Sequence, residues 1–479
     1  MTTAVIVGAG PNGLTAAAVL ARAGLEVTVL ERLDHVGGAA ASAPAFGDQA
    51  LIDLGAAAHP FGITSPAFRA LGLERPELGE HRLEWLHADY PMAHPLPGGR
   101  AAILHRDAEQ TAAQFGPDRD AWLRLHAPAT GDPFATAESI LSPILPWPAN
   151  PLHLARIGVR GAWPTSLLAP AVFRSGAARA LFAGNATHAT LPLGMPLTSA
   201  FGIAFGGVGH SAGWPFAKGG SQAIADALRH VAEAAGARVE TGVDVTDLRA
   251  IQADLVLLDV TPRQLVRMAG GLLDGPYARR MATWKYGPAV SKLDLLLDGP
   301  MPWTDARVAR AGSVHVGGTL PEIAAAERDV AAGRMPERPF VLVTQPTVAD
   351  PGRAPAGKHL LWAYAHVPHA WPGDASAAIE AQLERFAPGF RDRVLERRST
   401  PPAALELWNP NLVGGSIGGG SIGGTQQLLR PRPLHPYRVP IAGRVFLCSS
   451  STPPGGGVHG MAGWHAAHAA LGELGVHAG

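Results

Sequence analysis

Cysteine is almost absent: Cys448 is the single one in 479 residues. No intramolecular disulfide can form, as expected of a chain that works in a reducing cytoplasm. Charge is scarce as well. Charged residues make up 16% of the chain, and the formal net charge is zero. That excludes the basic footprint on which nucleic-acid binding depends, and no nucleic-acid partner is expected. It leaves small neutral substrates open. No basic segment precedes the first apolar run, so no secretory leader is expected and the expected location is cytoplasmic. No metal is expected. No apolar run reads as a membrane span. The nearest is Leu181 to Ala217, which is free of Asp, Glu, Lys and Arg but interrupted by Pro192, Pro196 and many Gly, Ser and Thr. Two readings fit it: a buried helix–loop–helix, or the wall of an apolar substrate channel whose mouth touches lipid.

Glycine and proline, by contrast, are abundant at 58 and 43 residues, and hydrophobic residues reach 47%. They are spread through the chain, which points to loops and close packing, not disorder. The length exceeds what one compact core usually holds and suggests two domains.

The chain is organised around its start. Ala4 to Val7 is an apolar run that reads as a buried parallel strand. Gly8-Ala9-Gly10-Pro11-Asn12-Gly13 breaks it, an Ala- and Leu-rich helix follows to Arg22, and Gly24 ends that helix. A second strand, Glu26 to Leu30, ends at Glu31. This is a strand–turn–helix–strand unit with G-x-G-x-x-G at its first turn and an acidic residue about 20 positions on, the fingerprint of a dinucleotide site. Gly8 permits the turn, Gly10 admits a pyrophosphate, and Gly13 allows close helix–strand packing. The helix N-terminus offers free N–H groups to the phosphates, and Glu31 can accept from a ribose diol.

Further along, Gly37-Gly38-Ala39-Ala40-Ala41-Ser42 forms a second close-approach loop. Ala58-His59-Pro60-Phe61-Gly62 carries the first histidine with a case for chemistry, although a hydrogen-bonded turn histidine is the favoured reading. Ala93-His94-Pro95-Leu96-Pro97-Gly98-Gly99 reads as a hairpin tip with His94 in solvent or facing a pocket. Ser221 is expected to cap a helix closed by Gly236. Strands are expected over 238–241, through Val243, Val245 and Leu248, and over 253–260. In the block from Thr261 to Pro433, strands at Val290 to Leu297, Phe340 to Thr344 and Leu360 to Val367 suggest an antiparallel or mixed sheet with few helices. Trp303, Trp362, Tyr364 and Trp371 are candidates for lining an apolar cavity, and His366 shares a face with Tyr364. Gly414 to Gly424 contains a formal G-x-G-x-x-G at Gly418, Gly420 and Gly423. No strong strand precedes it and Pro431 cuts off a following helix. It is therefore expected to be a loop near the active site or at a subunit contact, not a second nucleotide site. The C-terminus repeats the strand–turn–helix pattern, with a strand at 443–449, a Gly-rich turn through Met461 and a helix over 462–471. Cys448, at the strand end, reads as a small buried residue.

These stretches together resemble the phytoene desaturase-like family of FAD-dependent oxidoreductases. Within it they resemble the bacterial branch similar to pyridine nucleotide-disulfide oxidoreductase domain-containing protein 2. The resemblance rests on GAGPNGLTAAAVLARAGLEVTVLER, GGAAAS, DLGAAAHPFG, AHPLPGG, GWPFAKGGSQAIADAL, WNPNLVGGSIGG and VFLCSSSTPPGGGVHGMAGWHAA. It implies an α/β fold: a glutathione-reductase-like, Rossmann-type FAD domain, shared with monoamine oxidase, and an inserted substrate domain of mixed sheet plus helices. The FAD domain would comprise 1–65, 205–270 and 434–479, and the substrate domain 66–204 and 271–433. The resemblance assigns Gly8, Gly10, Pro11, Asn12, Gly13, Glu31, Arg32, Gly38, Ala39 and Ala40 to the pyrophosphate and adenosine. It places Val245 at the adenine and His59, Ser450, Gly457, Val458, His459 and Met461 along the isoalloxazine. The sequence departs from the pattern at Pro453-Pro454-Gly455, where His-Pro-Gly is usual, and in the Ser and Ile of the Gly414–Gly424 loop.

The implied activity is desaturation or dehydrogenation of a small apolar, isoprenoid- or polyene-like molecule by hydride transfer to flavin N5. His59, His94 and His366 are the candidate catalytic side chains. With no nicotinamide domain in the sequence, oxygen or a quinone is the expected electron acceptor. A redox-neutral isomerase or cyclase, and a flavin-bound interaction or redox-sensing protein, are the competing readings. A peripheral membrane contact and a homodimer are compatible with all of them.

Overall fold

A computed structural model describes residues 2–47, 50–145 and 148–476. Its organising layer is a five-stranded sheet in the order Val445–Leu447, Leu255–Leu258, Thr3–Val7, Glu26–Glu31, Arg238–Thr241. Every neighbouring pair is parallel. Leu255–Leu258 is buried throughout, because both faces of a parallel sheet are covered and no polar alternation is needed. Helix Pro11–Arg22 begins with proline at its first turn and stops before Gly24, which adopts φ 85°. A Cβ on Gly13 would lie 2.0 Å from the Gly8 carbonyl oxygen, so glycine there is a packing requirement. The same holds where the C-terminal helix Met461–Leu474 crosses the first helix: a Cβ on Gly463 would lie 1.8 Å from the Asn12 carbonyl oxygen. Fully buried Ala16, Ala17 and Ala18 keep that crossing close.

Two expectations fail in this layer. Val243, Val245 and Leu248 do not form a strand. The Gly242 and Val243 N–H groups instead donate to the Leu33 and Glu31 carbonyls, and Leu248–Ala250 is a short 3-10 turn. Ser221 precedes helix Gln222–Ala234 but its side chain does not cap it, because its hydroxyl is used elsewhere.

The second layer is a seven-stranded sheet in the order Val394–Thr400, Ala289–Leu297, His359–Val367, Val341–Thr344, Ala311–Val316, Tyr90–Pro95, Ala101–Leu104. It is mixed: Ala311–Val316 runs parallel to Tyr90–Pro95, and the other neighbours are antiparallel. Strands from both sides of the dinucleotide segment thus share one sheet. Helices are more frequent here than the sequence suggested. Leu320–Ala331 starts with a Thr319–Glu322 capping box, and Ser376–Phe386 covers the sheet's apolar face. His94 is not at the hairpin tip. It lies within strand Tyr90–Pro95 and is fully buried.

The Leu181–Ala217 stretch forms the end of helix Gly176–Ala186 and all of Thr198–Ser211, which pack on each other and on Arg119–Gly131. It is a buried helix–loop–helix, and several of its residues also form part of a cavity wall. Among the described residues no helix is long and apolar enough to cross a membrane.

Candidate functional site

One cavity of about 1250 Å³ runs between the two sheets. Ligand sites for a single small molecule usually span about 300–1,000 Å³, so this volume accommodates a dinucleotide and a second molecule. All the residues assigned to the cofactor line it except Gly13, His459 and Met461. Gly13 is spent on helix–strand packing. His459 sits behind the wall, where its Nδ1 accepts from the Met461 N–H at 3.1 Å and its carbonyl accepts from the Ser65 hydroxyl at 2.6 Å. Met461 packs with Ala67, Ala137 and Leu141. The Gly414–Gly424 loop lines the cavity too, through Ile417 to Gly420 and Ile422. The Ser451 hydroxyl donates to the Gly419 carbonyl at 2.6 Å, and a Cβ on Gly419 would lie 2.2 Å from Ser450 Oγ. This close packing gives the loop's glycines a role in the cavity wall that needs no second nucleotide.

The cradle fits a dinucleotide. Glu31 Oε2 accepts from the Ala9 N–H at 2.7 Å and its Oε1 from the Leu33 N–H at 2.9 Å, which fixes the carboxylate at the strand tip. Asp259, which the sequence reading did not single out, follows strand Leu255–Leu258 and meets the first glycine turn. Its Oδ2 accepts from the Gly13 N–H at 3.0 Å, and a Cβ on Gly10 would lie 2.7 Å from the same oxygen. Enclosure in the cavity wall pushes the Asp259 carboxyl up to about 7, with Glu31 adding to the rise against the Gly13 hydrogen bond.

Next to the cradle lies a buried polar knot. Asp53 Oδ1 accepts from the Ser42 hydroxyl at 2.7 Å and the Ser221 N–H at 2.8 Å, while Oδ2 pairs with Arg353 at 2.8 Å. Burial alone would raise this carboxyl. The Arg353 guanidinium and the two hydrogen bonds outweigh that and hold it below the usual range. The Ser221 hydroxyl donates to the Ala56 carbonyl at 2.7 Å, so it accepts from His59 Nε2 at 2.8 Å. That assigns the proton of His59 to Nε2. Burial lowers the His59 pKa to about 4, so the ring is neutral at neutral pH and offers an unprotonated Nδ1. Trp362 ties the knot to the large sheet by donating from Nε1 to the Asp53 carbonyl at 3.0 Å.

The three histidines singled out from sequence do not converge. His59 lines the cavity. His94 donates from Nε2 to the Gly318 carbonyl oxygen at 2.7 Å, which makes Nε2 the protonated nitrogen. Burial lowers its pKa to about 4, and it does not reach the cavity lining. His366 is paired through Nδ1 with buried Glu327 at 2.8 Å, one layer behind Tyr364, whose ring it stacks on at 5.6 Å. Of the aromatic candidates, Trp362 and Tyr364 line the cavity. Trp303 points to the opposite face, where Nε1 donates to Gln345 at 3.0 Å, and Trp371 packs on that same face. Lys292 was missed. It is 3% exposed, lines the cavity and forms an ion pair with Asp294. Burial pushes the Lys292 ammonium down and the Asp294 carboxyl up. The signal was in Ala289–Leu297 itself, where one lysine and one aspartate interrupt an apolar strand.

Comparison with known proteins places this geometry. The NAD(P)-binding Rossmann-like domain family matches residues 6–71. Pyridine nucleotide-disulfide oxidoreductase domain-containing protein 2 of Mus musculus is 26% identical over 98% of this chain and 93% of its own. Phytoene dehydrogenase of Streptomyces griseus is 27% identical over 85% of this chain and 81% of its own. A putrescine oxidase structure superposes over 99% of both chains with a TM-score of 0.63 at 18% identity. An oxidoreductase structure from Methanosarcina mazei covers 96% of this chain and 98% of its own, with a TM-score of 0.62 at 19% identity. The last two share the fold. The matched segment and the full-length relatives make this chain similar to dinucleotide-binding oxidoreductases and support FAD as the dinucleotide of the cradle.

Proposed function

We propose that the chain dehydrogenates a largely apolar small molecule of isoprenoid or polyene type, with FAD taking up hydride from a substrate C–H bond. The observation that carries this reading is the continuity of the cavity. From the Gly8–Gly13 and Ser450–Val458 turns it passes without a break into a wall of Ile140, Leu154, Ile157, Leu197, Phe201 and Phe205. Apolar walls hold a hydrocarbon by excluding water and orient it against the ring. His59, neutral and fixed by Ser221, contributes an acceptor at the cavity edge but is too weak a base at neutral pH to drive proton removal. Positioning therefore does most of the work assigned to the protein; the proton that accompanies the hydride would leave to water, and oxygen or a quinone would take the electrons from the reduced flavin.

Anaerobic mixing of the FAD-loaded protein with isoprenoids, amines and alcohols tests the reading. A substrate of the proposed class bleaches the flavin absorption band as an unsaturated product accumulates. Product formed with the flavin band unchanged would favour a redox-neutral isomerase or cyclase, and reduction by amines alone would overturn the substrate class.

The mouth of the cavity supports a peripheral lipid contact. Beside Leu154 and Ile157, helix Pro151–Gly161, the turn after it and the start of helix Thr165–Val172 expose Leu152, Val159, Trp163 and Leu167, at 77%, 72%, 51% and 59%. Arg156 and Arg160 share that surface, and no Asp or Glu occurs between Glu138 and Asp226. Apolar side chains flanked by cations, with acids excluded, suit an anionic bilayer surface. Sedimentation with anionic vesicles is expected for the wild type and lost in Leu152→Glu/Trp163→Glu.

A further inference from the structure

The large sheet has two unlike faces. Alternate residues Ala93, Val314, Val343, Ala363 and Leu293, from five neighbouring strands, point into one apolar cluster. The residues between them point to the cavity side, and four of these strands place a polar side chain in its lining: Lys292, Ser313, Thr344 and Tyr364. Strand pairing sets Ser313 opposite Thr344, and Thr344 opposite Trp362. One step along, Leu342 lies opposite Tyr364, and Tyr364 opposite Lys292. All six of these side chains line the cavity. Directly opposed residues on neighbouring strands have Cβ atoms about 4.5–5.5 Å apart, so they form one compact patch.

Two of its hydroxyls have nothing to bond to. Ser313 Oγ and Thr344 Oγ1 are buried and without a hydrogen-bond partner, at residues 0% and 1% exposed. An unpaired buried hydroxyl costs about 1–3 kcal/mol, and here two occur side by side. Charge on the patch is already cancelled, because Lys292 is paired with Asp294. A carboxylate or ammonium placed against it would find no free counter-ion, whereas a neutral oxygen would find donors and acceptors.

We propose that this patch is a head-group site: the substrate carries an uncharged hydroxyl or carbonyl that bonds to Ser313, Thr344 and Tyr364, while its hydrocarbon part lies along the helical wall. The inference rests on the apolar-substrate reading above and narrows it from a pure hydrocarbon to a neutral amphiphile. Its oxygen supplies the missing partners, and its tail needs only the apolar side chains of the helices.

Equilibrium dialysis of the FAD-loaded protein against geranylgeraniol, the matching hydrocarbon and the matching carboxylic acid tests it. The alcohol should bind about tenfold or more tighter than either analogue, the ratio expected when one buried hydrogen bond is gained or lost. Ser313→Ala/Thr344→Val should remove that preference while leaving hydrocarbon affinity and bound flavin unchanged. Ser313→Thr and Thr344→Ser, which keep a hydroxyl at each position, should retain the preference. Equal affinity for alcohol and hydrocarbon, or a preference untouched by the double variant, would overturn the head-group site and leave the apolar-substrate reading standing. Failure of all three compounds to bind would overturn both.

Discussion

The two sheets of this protein earn their function in opposite ways. The parallel sheet is buried on both faces at its inner strand Leu255–Leu258 and acts at its edge, where the strands end in Gly8, Glu31 and Asp259 around a helix N-terminus. The mixed sheet acts through a face, where Lys292, Ser313, Thr344 and Tyr364 look into the cavity while the other face is a plain core. An edge site is built from backbone and tolerates almost no added bulk. A face site is built from side chains and can be retuned without moving the chain.

The contrast can be broken most severely at the edge. Gly10→Glu places a side chain 2.7 Å from Asp259 Oδ2 and adds negative charge where phosphate must sit. The purified variant is expected to be colourless and to bind FAD at least about 100-fold more weakly, which a fluorescence titration would read. FAD affinity close to that of the wild type would remove the cradle from the assignment.

Next in size is the joint between the sheets. Arg353→Ala leaves Asp53 buried without its partner and should cost about 3–5 kcal/mol in denaturant unfolding. The pH dependence has a definite sign. The Asp53 carboxyl is held below its ordinary value, so its contribution is present above the unfolded pKa of about 4 and is lost as pH falls through the lower folded value. The variant should lack that acid-side loss of stability. A wild-type acid limb preserved in Arg353→Ala would assign the titration to another group.

The smallest effect sharpens the edge itself. Asp259, pushed up to about 7, is protonated below that pH and ionised above it. Its ionised form faces the diphosphate position, so FAD binding should weaken above neutral pH by up to about tenfold per pH unit, the limit for one linked proton. Asp259→Asn should flatten that slope in a titration followed by flavin fluorescence. An unchanged slope in the variant would place the linked proton elsewhere.

The same contrast explains what could be read from the chain alone. The edge site is contiguous: Gly8 to Glu31 carries turn, helix and acid in a single run, so its spacing was legible. The C-terminal turn repeated the pattern. The face site is divided among strands far apart in sequence, and its members appear as single polar residues within apolar runs. Neither Ser313 nor Thr344 differs locally from an ordinary strand residue, and only pairing makes them neighbours. Val394–Thr400 escaped because its side chains are exposed along the sheet edge and carry no apolar alternation. His94 was misplaced because the Pro and Gly residues after it marked the turn correctly, while the strand before it ran one residue past the histidine. Asp259 lies just beyond an apolar strand, where the hydrogen bond it accepts from the Gly13 N–H depends on a turn some 250 residues earlier.

The order of the parallel sheet also has a consequence in time. Leu255–Leu258 stands between Thr3–Val7 and Val445–Leu447, and helix Met461–Leu474 covers the first helix. At about 5–20 residues per second, the ribosome needs roughly 20–90 s after making the first strand before it supplies the last. Throughout that interval the nascent chain lacks the Ser450–Val458 turn of the cavity and leaves the alanines of its first helix uncovered. Newly made protein should therefore acquire its flavin only after release, and a chaperone that shields the first helix during synthesis should raise the yield of yellow protein more than added FAD does.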